Sequence, residues 1–237
     1  MIDYHFNQVT NSQNEVVSIQ IKTSTRAIGA SHHNAFGIQL NTTPSNVLSV
    51  TGQQIEKDYL NIADNGTENQ QEDAVIIIFD DAFNVLSYPG VGVGVNTVPQ
   101  NPYVTPDTVI IDIVFNSPVS FDIIGAPPYN PFIIVDRERG KEIHLPGSEP
   151  TSLVDANYFD TGDDDTDVNL GNYYMSDQYL PWAINLPSSF VYPIEKRSIK
   201  QAHLYFNNWA TSQGSNHRDW YHDSPSYRNY TNIYPNN

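Results

Sequence analysis

Cysteine is absent from all 237 residues of the chain. Its absence excludes a disulfide framework, a thiolate zinc site and a cysteine nucleophile. No stretch approaches the roughly 20 consecutive apolar residues that a membrane-spanning helix needs. Met1, Ile2 and Asp3 do not begin a signal peptide, which has a basic start and an apolar middle. If the protein is exported, we therefore expect this sequence to be its mature part.

Basic residues are scarce. Lys and Arg number 11 against 27 Asp and Glu, which gives a net charge of -16 at pH 7. A field of that sign repels phosphate backbones and anionic lipid, so we expect no nucleic acid partner and no direct membrane insertion of this domain. Charged residues make up only 16% of the chain, and much of its polar surface must come from uncharged side chains. That composition fits an extracellular surface better than a cytosolic one.

Apolar residues recur mostly at every second position, the spacing that places alternate side chains on one face of a β-strand. Three such series predict strands with one buried face: Val17, Ile19 and Ile21; Val109, Ile111, Ile113 and Phe115; and Val119, Phe121 and Ile123. Two short runs, 74–79 and 132–135, are apolar throughout and predict strands covered on both faces. We expect residues 1–237 to form one mainly β domain, a two-sheet β-sandwich of jelly-roll type.

One segment near the C-terminus has helical spacing instead. Ser198 is a suitable N-cap and Gly214 a suitable stop. Apolar side chains between them recur at three- and four-residue intervals, namely Ile199, Ala202, Tyr205, Phe206 and Trp209. We predict one amphipathic helix packed against the sheet.

The densest carboxylate cluster occupies residues 160–167. Such carboxylates repel each other unless they are solvated or surround a hard cation, and calcium accepts several oxygen ligands in flexible geometry. A calcium site and a plain solvated loop are both open interpretations, since the spacing is not that of an EF-hand. The candidate metal ligands are Asp160, Asp163, Asp164, Asp165 and Asp167, with Asp80 and Asp81 at the end of a buried strand and Asp3 and Asn7 near the start of the chain.

Motifs of known enzymes are mostly missing. Gly29, Ala30, Ser31 and His32 are followed by His33 where a nucleophile elbow needs its second glycine, and there is no phosphate-loop lysine. His32 and His33 are candidates for ligand contact, although adjacent side chains on an extended segment point to opposite faces. A structural or surface role is the simpler interpretation for this pair.

Aromatic residues make up 12% of the chain and become more frequent toward its C-terminus. Exposed rings beside amides and carboxylates can stack on sugars while the polar groups hold the hydroxyls. We select Tyr227, Tyr230 and Tyr234 as candidate ligand-binding residues at the surface. Trp182 and Trp209 have apolar neighbours, and we expect them to pack in a core.

The order of several motifs resembles the LruC-type domain of bacterial outer-membrane and surface proteins. The matching segments span nearly the whole chain: 27–37 (AIGASHHNAFG), 75–83 (VIIIFDDAF), 128–132 (PYNPF), 142–147 (EIHLPG), 161–164 (TGDD) and 180–184 (LPWAI). The resemblance implies a domain of lipoproteins and large surface proteins without an established catalytic activity. The family's acidic motif Asp-Tyr-Asp-Phe-Asn-Asp corresponds here to residues 3–8, where His5 and Gln8 replace two carboxylates. That replacement weakens a calcium site at Asp3 and Asn7.

Three functions follow from these observations. The first is a non-catalytic, cell-surface binding or adhesion module, stabilised by calcium, that recognises a glycan or a surface protein. The second is a polysaccharide hydrolase that uses paired carboxylates, whose separation the sequence does not give. The third is a structural domain of a surface assembly, which would self-associate.

Overall fold

Eight β-strands form two antiparallel sheets in residues 1–235, the part of the chain that the computed structural model describes. The strands are β1 (Ile2–Thr10), β2 (Val16–Thr25), β3 (Ala35–Leu40), β4 (Val47–Thr51), β5 (Ala74–Phe79), β6 (Thr108–Val119), β7 (Asn130–Ile134) and β8 (Glu142–His144). Sheet 1 has the order β1-β2-β6-β4, and sheet 2 has the order β5-β3-β7-β8. The strand pairings within both sheets are antiparallel, and these strands lie within residues 2–144.

The main hydrophobic core lies between the two sheets. Sheet 1 contributes Ile19, Ile21 and Ile111, and sheet 2 contributes Ile38 and Ile76, each at most 1% exposed. Full burial of one such side chain contributes about 1.5–3 kcal/mol. The predicted two-sheet sandwich is therefore confirmed.

The outer faces of the two sheets differ. The outer face of sheet 2 buries Val75, Ile77 and Phe132 beneath the segment that carries Tyr59 and Leu60. Because both faces of β5 are covered, every residue of that strand is buried, as the apolar run predicts. Sheet 1 leaves its outer face open, and β6 alternates buried and exposed residues along most of its length.

Three details of the strand predictions are wrong. A register shift in β2 between Val16 and Ser18 buries Val16 and leaves Val17 partly exposed. The series Val119, Phe121 and Ile123 is not one strand, because β6 ends at Val119 and the chain turns into a short helix whose N–H groups bond Ser120 O. Val135 leaves β7 for a 3-10 turn, in which the next two residues have positive φ.

Helical segments are short: α1 (Ala82–Val85), α2 (Phe121–Ile124), α3 (Ile199–Ala202) and α4 (Phe206–Thr211), with 3-10 turns at Pro44–Asn46, Val135–Arg137, Ala156–Tyr158 and Tyr230–Asn232. Within residues 1–235 no helix has the length and apolarity to cross a bilayer. The predicted single helix after Ser198 is wrong, because it divides into α3 and α4. The N–H of Leu204 bonds Tyr227 O at 2.9 Å, and the buried ring of His203 bonds Val191 O at 2.8 Å. These bonds end α3 and leave a non-helical link before α4.

Residues 145–235, which we call the C-terminal region, pack around aromatic side chains. Trp220 is fully buried, and its ring lies 5.0 Å from Phe206 and 5.4 Å from Trp209, centroid to centroid. The helices α3 and α4 pack here rather than on a sheet face as predicted. Hydrogen bonds join this region to the sandwich, including Tyr192 Oη to Asn96 O at 2.9 Å.

A buried ion network joins the two regions at β8. Arg139 donates two hydrogen bonds to Glu68, at 2.5 and 2.6 Å, and a further one to Glu142. Glu142 also accepts from His144 Nε2 at 2.9 Å and from the N–H of Thr151 at 2.9 Å. The network thereby fixes the point at which the chain leaves the sandwich for the C-terminal region.

Candidate ligand-binding site

A cleft of about 420 Å³ lies in the C-terminal region, between the loop 172–185 and α4. We call it the aromatic cleft. Its lining residues are Leu145, Pro146, Asn172, Met175, Tyr179, Pro181, Ala183, Ile184, Asn185, Trp209, Ala210, Gln213 and Gly214. Its volume falls within the roughly 300–1,000 Å³ typical of small-molecule sites.

One wall of the aromatic cleft is a hairpin-like loop. Trp182 N bonds Tyr174 O at 3.1 Å, and Ser176 N bonds Leu180 O at 3.0 Å. The Ser176 hydroxyl accepts a further bond from Leu180 N at 3.2 Å. Tyr179 lies at the turn with φ 58°, and it is 46% exposed. A positive φ is rare for a bulky residue, and such strain is concentrated at functional sites.

The opposite wall is α4 and the turn that follows it. The ring of Trp209 is partly buried against the aromatic core, 5.7 Å from Phe206. Gly214 ends this segment with φ 77°, and its N–H bonds Trp209 O at 2.9 Å. Gln213 lies in this turn, two residues after the end of α4, and lines the cleft together with Trp209.

The chemistry of the aromatic cleft is neutral. Its polar side chains include the amides of Asn172, Asn185 and Gln213, and no Asp, Glu, Lys or Arg of residues 1–235 lines it. Amides both donate and accept hydrogen bonds, so they suit hydroxyl groups. The rings of Tyr179 and Trp209 supply apolar surface. The cleft can therefore bind an uncharged ligand with apolar faces and several hydroxyls.

A second cleft, of about 550 Å³, lies between the start of β1 and residues 181–190. We call it the sheet-edge cleft. It shares Pro181, Ala183, Ile184 and Asn185 with the aromatic cleft. Tyr4 donates its hydroxyl to Asn185 Oδ1 at 2.8 Å. Burial raises the pKa of Tyr4 to about 12, so this hydroxyl stays protonated.

The acidic loop has its carboxylates spread out. Asp164 Oδ1 accepts from Trp182 Nε1 at 2.7 Å and from Thr166 Oγ1 at 3.0 Å, and Asp167 Oδ1 accepts from Asn169 N at 2.9 Å. Asp160, Asp163 and Asp165 are exposed. In the described part of the chain no group of three or more His, Asp or Glu side chains is placed to share a metal ion. This donor arrangement does not fit a calcium ion without rearrangement, and calcium stays a prediction.

Asp80 and Asp81 are buried and already bonded within the protein. Asp80 accepts from the N–H groups of Glu56 and Lys57 at 2.6 and 2.5 Å. Asp81 accepts from Arg137 at 2.5 Å and from His33 Nδ1 at 2.8 Å. Burial alone would raise the pKa of Asp81, but hydrogen bonds from Arg137, the Phe83 backbone and His33 hold it below its ordinary value. Both carboxylates thus stabilise the end of β5.

The remaining candidates near the sheets lie apart from both the acidic loop and the aromatic cleft. His32 is exposed, 3.6 Å from Asp136, and His33 contacts the buried Asp81. Asp3 and Asn7 are exposed on β1, where Asp3 pairs with Arg26 at 3.4 Å. The structure therefore does not gather Asp3, Asn7, Asp80 and Asp81 with residues 160–167.

The three predicted surface tyrosines have different environments. Tyr230 is 62% exposed and bonds Asp223, and Tyr227 is half-buried with its hydroxyl 3.3 Å from Asp219. Tyr234 is 1% exposed and stacks on Tyr192 at 5.4 Å, so its assignment to the surface is wrong.

The prediction that Trp182 packs in a core is also wrong, because this side chain is 43% exposed. Its apolar sequence neighbours turn instead into the walls of the two clefts. Sequence reasoning missed Tyr179, Asn172, Asn185 and Gln213 as cleft residues. Tyr179 stood in the aromatic-rich part of the chain, but nothing in the sequence indicated that the three amides would come together.

Residues 14–221 match the family described as Domain of unknown function (DUF4842). A comparison with curated proteins found no match. Among solved structures, the chain is similar to a crystal structure described as "Putative lipoprotein from Bacteroides ovatus", with a TM-score of 0.66 and 15% sequence identity. The similarity covers 98% of this chain and 68% of that one. At this identity it supports the fold alone.

Proposed function

This chain belongs to the DUF4842 family, whose function is unknown, and we propose that it is a non-catalytic binding module of a bacterial cell surface that recognises a glycan in the aromatic cleft. The observation that carries the proposal is the cleft itself, whose lining combines two aromatic residues, Tyr179 and Trp209, with three amide side chains. Aromatic rings stack on the apolar faces of sugars, and amides exchange hydrogen bonds with their hydroxyls.

The proposed location at the cell surface is supported by a structural similarity and by the order of the sequence motifs. The similarity is to a chain described as a lipoprotein of a Bacteroides species. The order of motifs resembles that of LruC-type domains of surface proteins. The composition agrees, since few residues are charged and the net charge is -16. We therefore propose that this is an LruC-type domain displayed outside the cell.

Hydrolysis of the glycan is disfavoured by the lining of the cleft. Glycoside hydrolases commonly use two carboxyl groups, one on each side of the scissile bond and about 5–10 Å apart. In residues 1–235 no Asp or Glu lines the aromatic cleft. We therefore propose binding without turnover.

Self-association has one observation in its favour. The open face of sheet 1 exposes Ile110 by 44% and Val114 by 37%, and both side chains lie on β6. Exposed apolar surface on a sheet face is a common site of protein contact. Light scattering of the purified protein tests this alternative, and a monomer over a wide concentration range would eliminate it.

Calorimetric titration with neutral oligosaccharides selected from a glycan array tests the proposal. We expect binding without any change in the mass of the oligosaccharide, and at least tenfold weaker binding after Tyr179→Ala, about 1.4 kcal/mol. Tyr103→Ala is the matched control, because Tyr103 is 47% exposed and lies outside the cleft. Equal losses in both variants, or an array without any neutral glycan bound, would overturn the proposal.

A further inference from the structure

The two clefts are neighbours, and their common wall is a short ridge formed by residues 181–185. We infer that the glycan is a neutral, linear chain that crosses this ridge and occupies both clefts, rather than a single terminal sugar. This inference rests on the proposed function and specifies the class of ligand. It follows from the shared wall, from a fixed aromatic ring on the ridge and from the charge of the lining.

The shared wall makes the two clefts direct neighbours. Four residues, Pro181, Ala183, Ile184 and Asn185, line both. Together the clefts, of about 420 and 550 Å³, provide more space than one sugar ring requires. A chain of sugars can therefore fill one cleft with some of its units and the other with the next.

Trp182 is the aromatic side chain on the ridge. It is 43% exposed, yet its indole N–H is held by Asp164 Oδ1 at 2.7 Å and its backbone N–H by Tyr174 O at 3.1 Å. An exposed ring that is already fixed loses little conformational freedom when a ligand stacks on it. Pro181 stiffens the ridge further, because its ring fixes φ. The ridge is therefore preorganised for contact.

The sheet-edge cleft also offers hydroxyl groups to a ligand, among them that of Tyr4. Hydroxyls of Ser188 and Ser189 lie in the same lining.

The charges favour a neutral glycan over an acidic one. No Lys or Arg of the described residues lines either cleft. Asp3, which lines the sheet-edge cleft, is already paired with Arg26. Because the chain as a whole has a net charge of -16, its field repels uronates and sulfated sugars. Uncharged hexose chains meet no such barrier.

A length series tests the inference. Calorimetry on neutral gluco- and manno-oligosaccharides, from disaccharide to hexasaccharide, measures how affinity grows with chain length. We expect the hexasaccharide of the preferred sugar to bind at least tenfold more tightly than the disaccharide. Trp182→Ala should remove that gain and leave disaccharide binding unchanged, whereas Tyr179→Ala should weaken both. Trp182→Phe, which keeps a ring but loses the bond to Asp164, should retain only part of the gain, because its ring is no longer fixed by that bond.

The outcomes separate the inference from the proposed function. If the disaccharide binds and depends on Tyr179, but longer chains bind no more tightly, the crossing of the ridge is refuted while glycan binding stands. If affinity increases equally with chain length in the wild type and in Trp182→Ala, the crossing of the ridge is also refuted. Tighter binding of oligogalacturonate than of any neutral chain would refute the neutral class. Failure of every oligosaccharide to bind would refute both the inference and the proposed function.

Discussion

The sandwich of residues 2–144 and the C-terminal region of residues 145–235 are stabilised in different ways. In the sandwich, strand pairing satisfies the backbone, and aliphatic side chains such as Ile19 and Ile76 fill the core. The C-terminal region has short helical segments and turns, and its cores are aromatic, around Trp220 and Tyr234. Its side chains therefore also hydrogen-bond the backbone, as Ser176 does for Leu180.

This difference explains where the candidate site lies. A paired sheet presents regular faces, and the sandwich uses its inner faces and the outer face of sheet 2 for packing. Irregular backbone can curve around a cavity and expose a ring such as Tyr179 at a turn. Loops on a rigid scaffold commonly carry binding residues for this reason. The sandwich is the scaffold, and the C-terminal region forms the clefts.

The largest expected effect comes from breaking the ion network that joins the two regions. Arg139→Ala leaves the carboxylates of Glu68 and Glu142 buried without their cation, and both side chains are at most 1% exposed. Loss of one partner of a buried pair costs about 3–5 kcal/mol. Urea unfolding measures the loss. The exposed Arg218, which donates a hydrogen bond to Gly214 O, is the control, and Arg218→Ala should change stability by less than about 0.5 kcal/mol.

The same experiment tests whether the two regions unfold together. Trp182, Trp209 and Trp220 all lie in the C-terminal region, so tryptophan fluorescence reports that region while circular dichroism reports mainly the sheets. We expect the two transitions to coincide in wild type and in Arg139→Ala, since other hydrogen bonds, such as Tyr192 Oη to Asn96 O, still join the two regions. A fluorescence transition that moves alone would show that the C-terminal region is a separate cooperative unit.

The second expected effect depends on pH. Burial raises the pKa of Glu142, but hydrogen bonds from His144 and Thr151 and the charge of Arg139 outweigh it and lower the pKa below 4.5. The ionised Glu142 therefore contributes stability above pH 4.5, and the contribution is lost as pH falls through the folded-state pKa. Glu142→Gln should cost about 1.5–3 kcal/mol at neutral pH.

Denaturant titrations at a series of pH values measure this effect. The difference in unfolding free energy between wild type and Glu142→Gln should shrink as pH falls below 4.5. Glu149→Gln, at an exposed position five residues after His144, serves as the control and should leave stability nearly unchanged. A difference that stays constant down to acid pH would mean that Glu142 does not act as a buried carboxylate.

The sequence predicts the sandwich well because its signals are local. Alternation along Val109, Ile111 and Ile113 reports one buried face, and the apolar run 74–79 reports burial on both. The errors lie where a tertiary contact decides the outcome. The pairing of residues 202–204 with 227–229 interrupts a helical pattern after Ser198, and the register shift at Val16 moves Val17 out of phase.

The clefts are less predictable because they assemble from distant segments. Asn172, Asn185 and Gln213 meet only through the loop and α4, and an asparagine or glutamine in a loop carries no local signal of its partners. Trp182 has apolar neighbours, and yet those neighbours line cavities rather than a core. The local sequence pattern thus shows which part of the chain is rich in aromatic residues, but it does not predict how those residues are arranged around the clefts.

A smaller effect on stability is expected from removing the side-chain cap of α3 in the C-terminal region. Ser198 Oγ accepts from Lys200 N at 3.3 Å, and Gln201 Oε1 accepts from Ser198 N at 3.3 Å, which forms a capping box at α3. Ser198→Ala should cost about 1 kcal/mol, which lowers the melting temperature of a chain of this size by about 2–4 °C. Ser215→Ala, at an exposed position outside a helix, should not change it. Equal melting temperatures for wild type and Ser198→Ala would show that α3 does not depend on this cap.

Calcium has the smallest expected effect. Asp164 and Asp167 already accept hydrogen bonds from Trp182, Thr166 and Asn169, so a calcium ion would have to rearrange the loop 160–167. We expect melting temperatures with calcium and with a chelator to differ by less than the about 2–4 °C that corresponds to 1 kcal/mol. A larger rise that is lost in the double variant Asp163→Asn and Asp165→Asn would establish a calcium site. Because Asp164 holds the indole of Trp182, such an ion would also control the ridge between the two clefts.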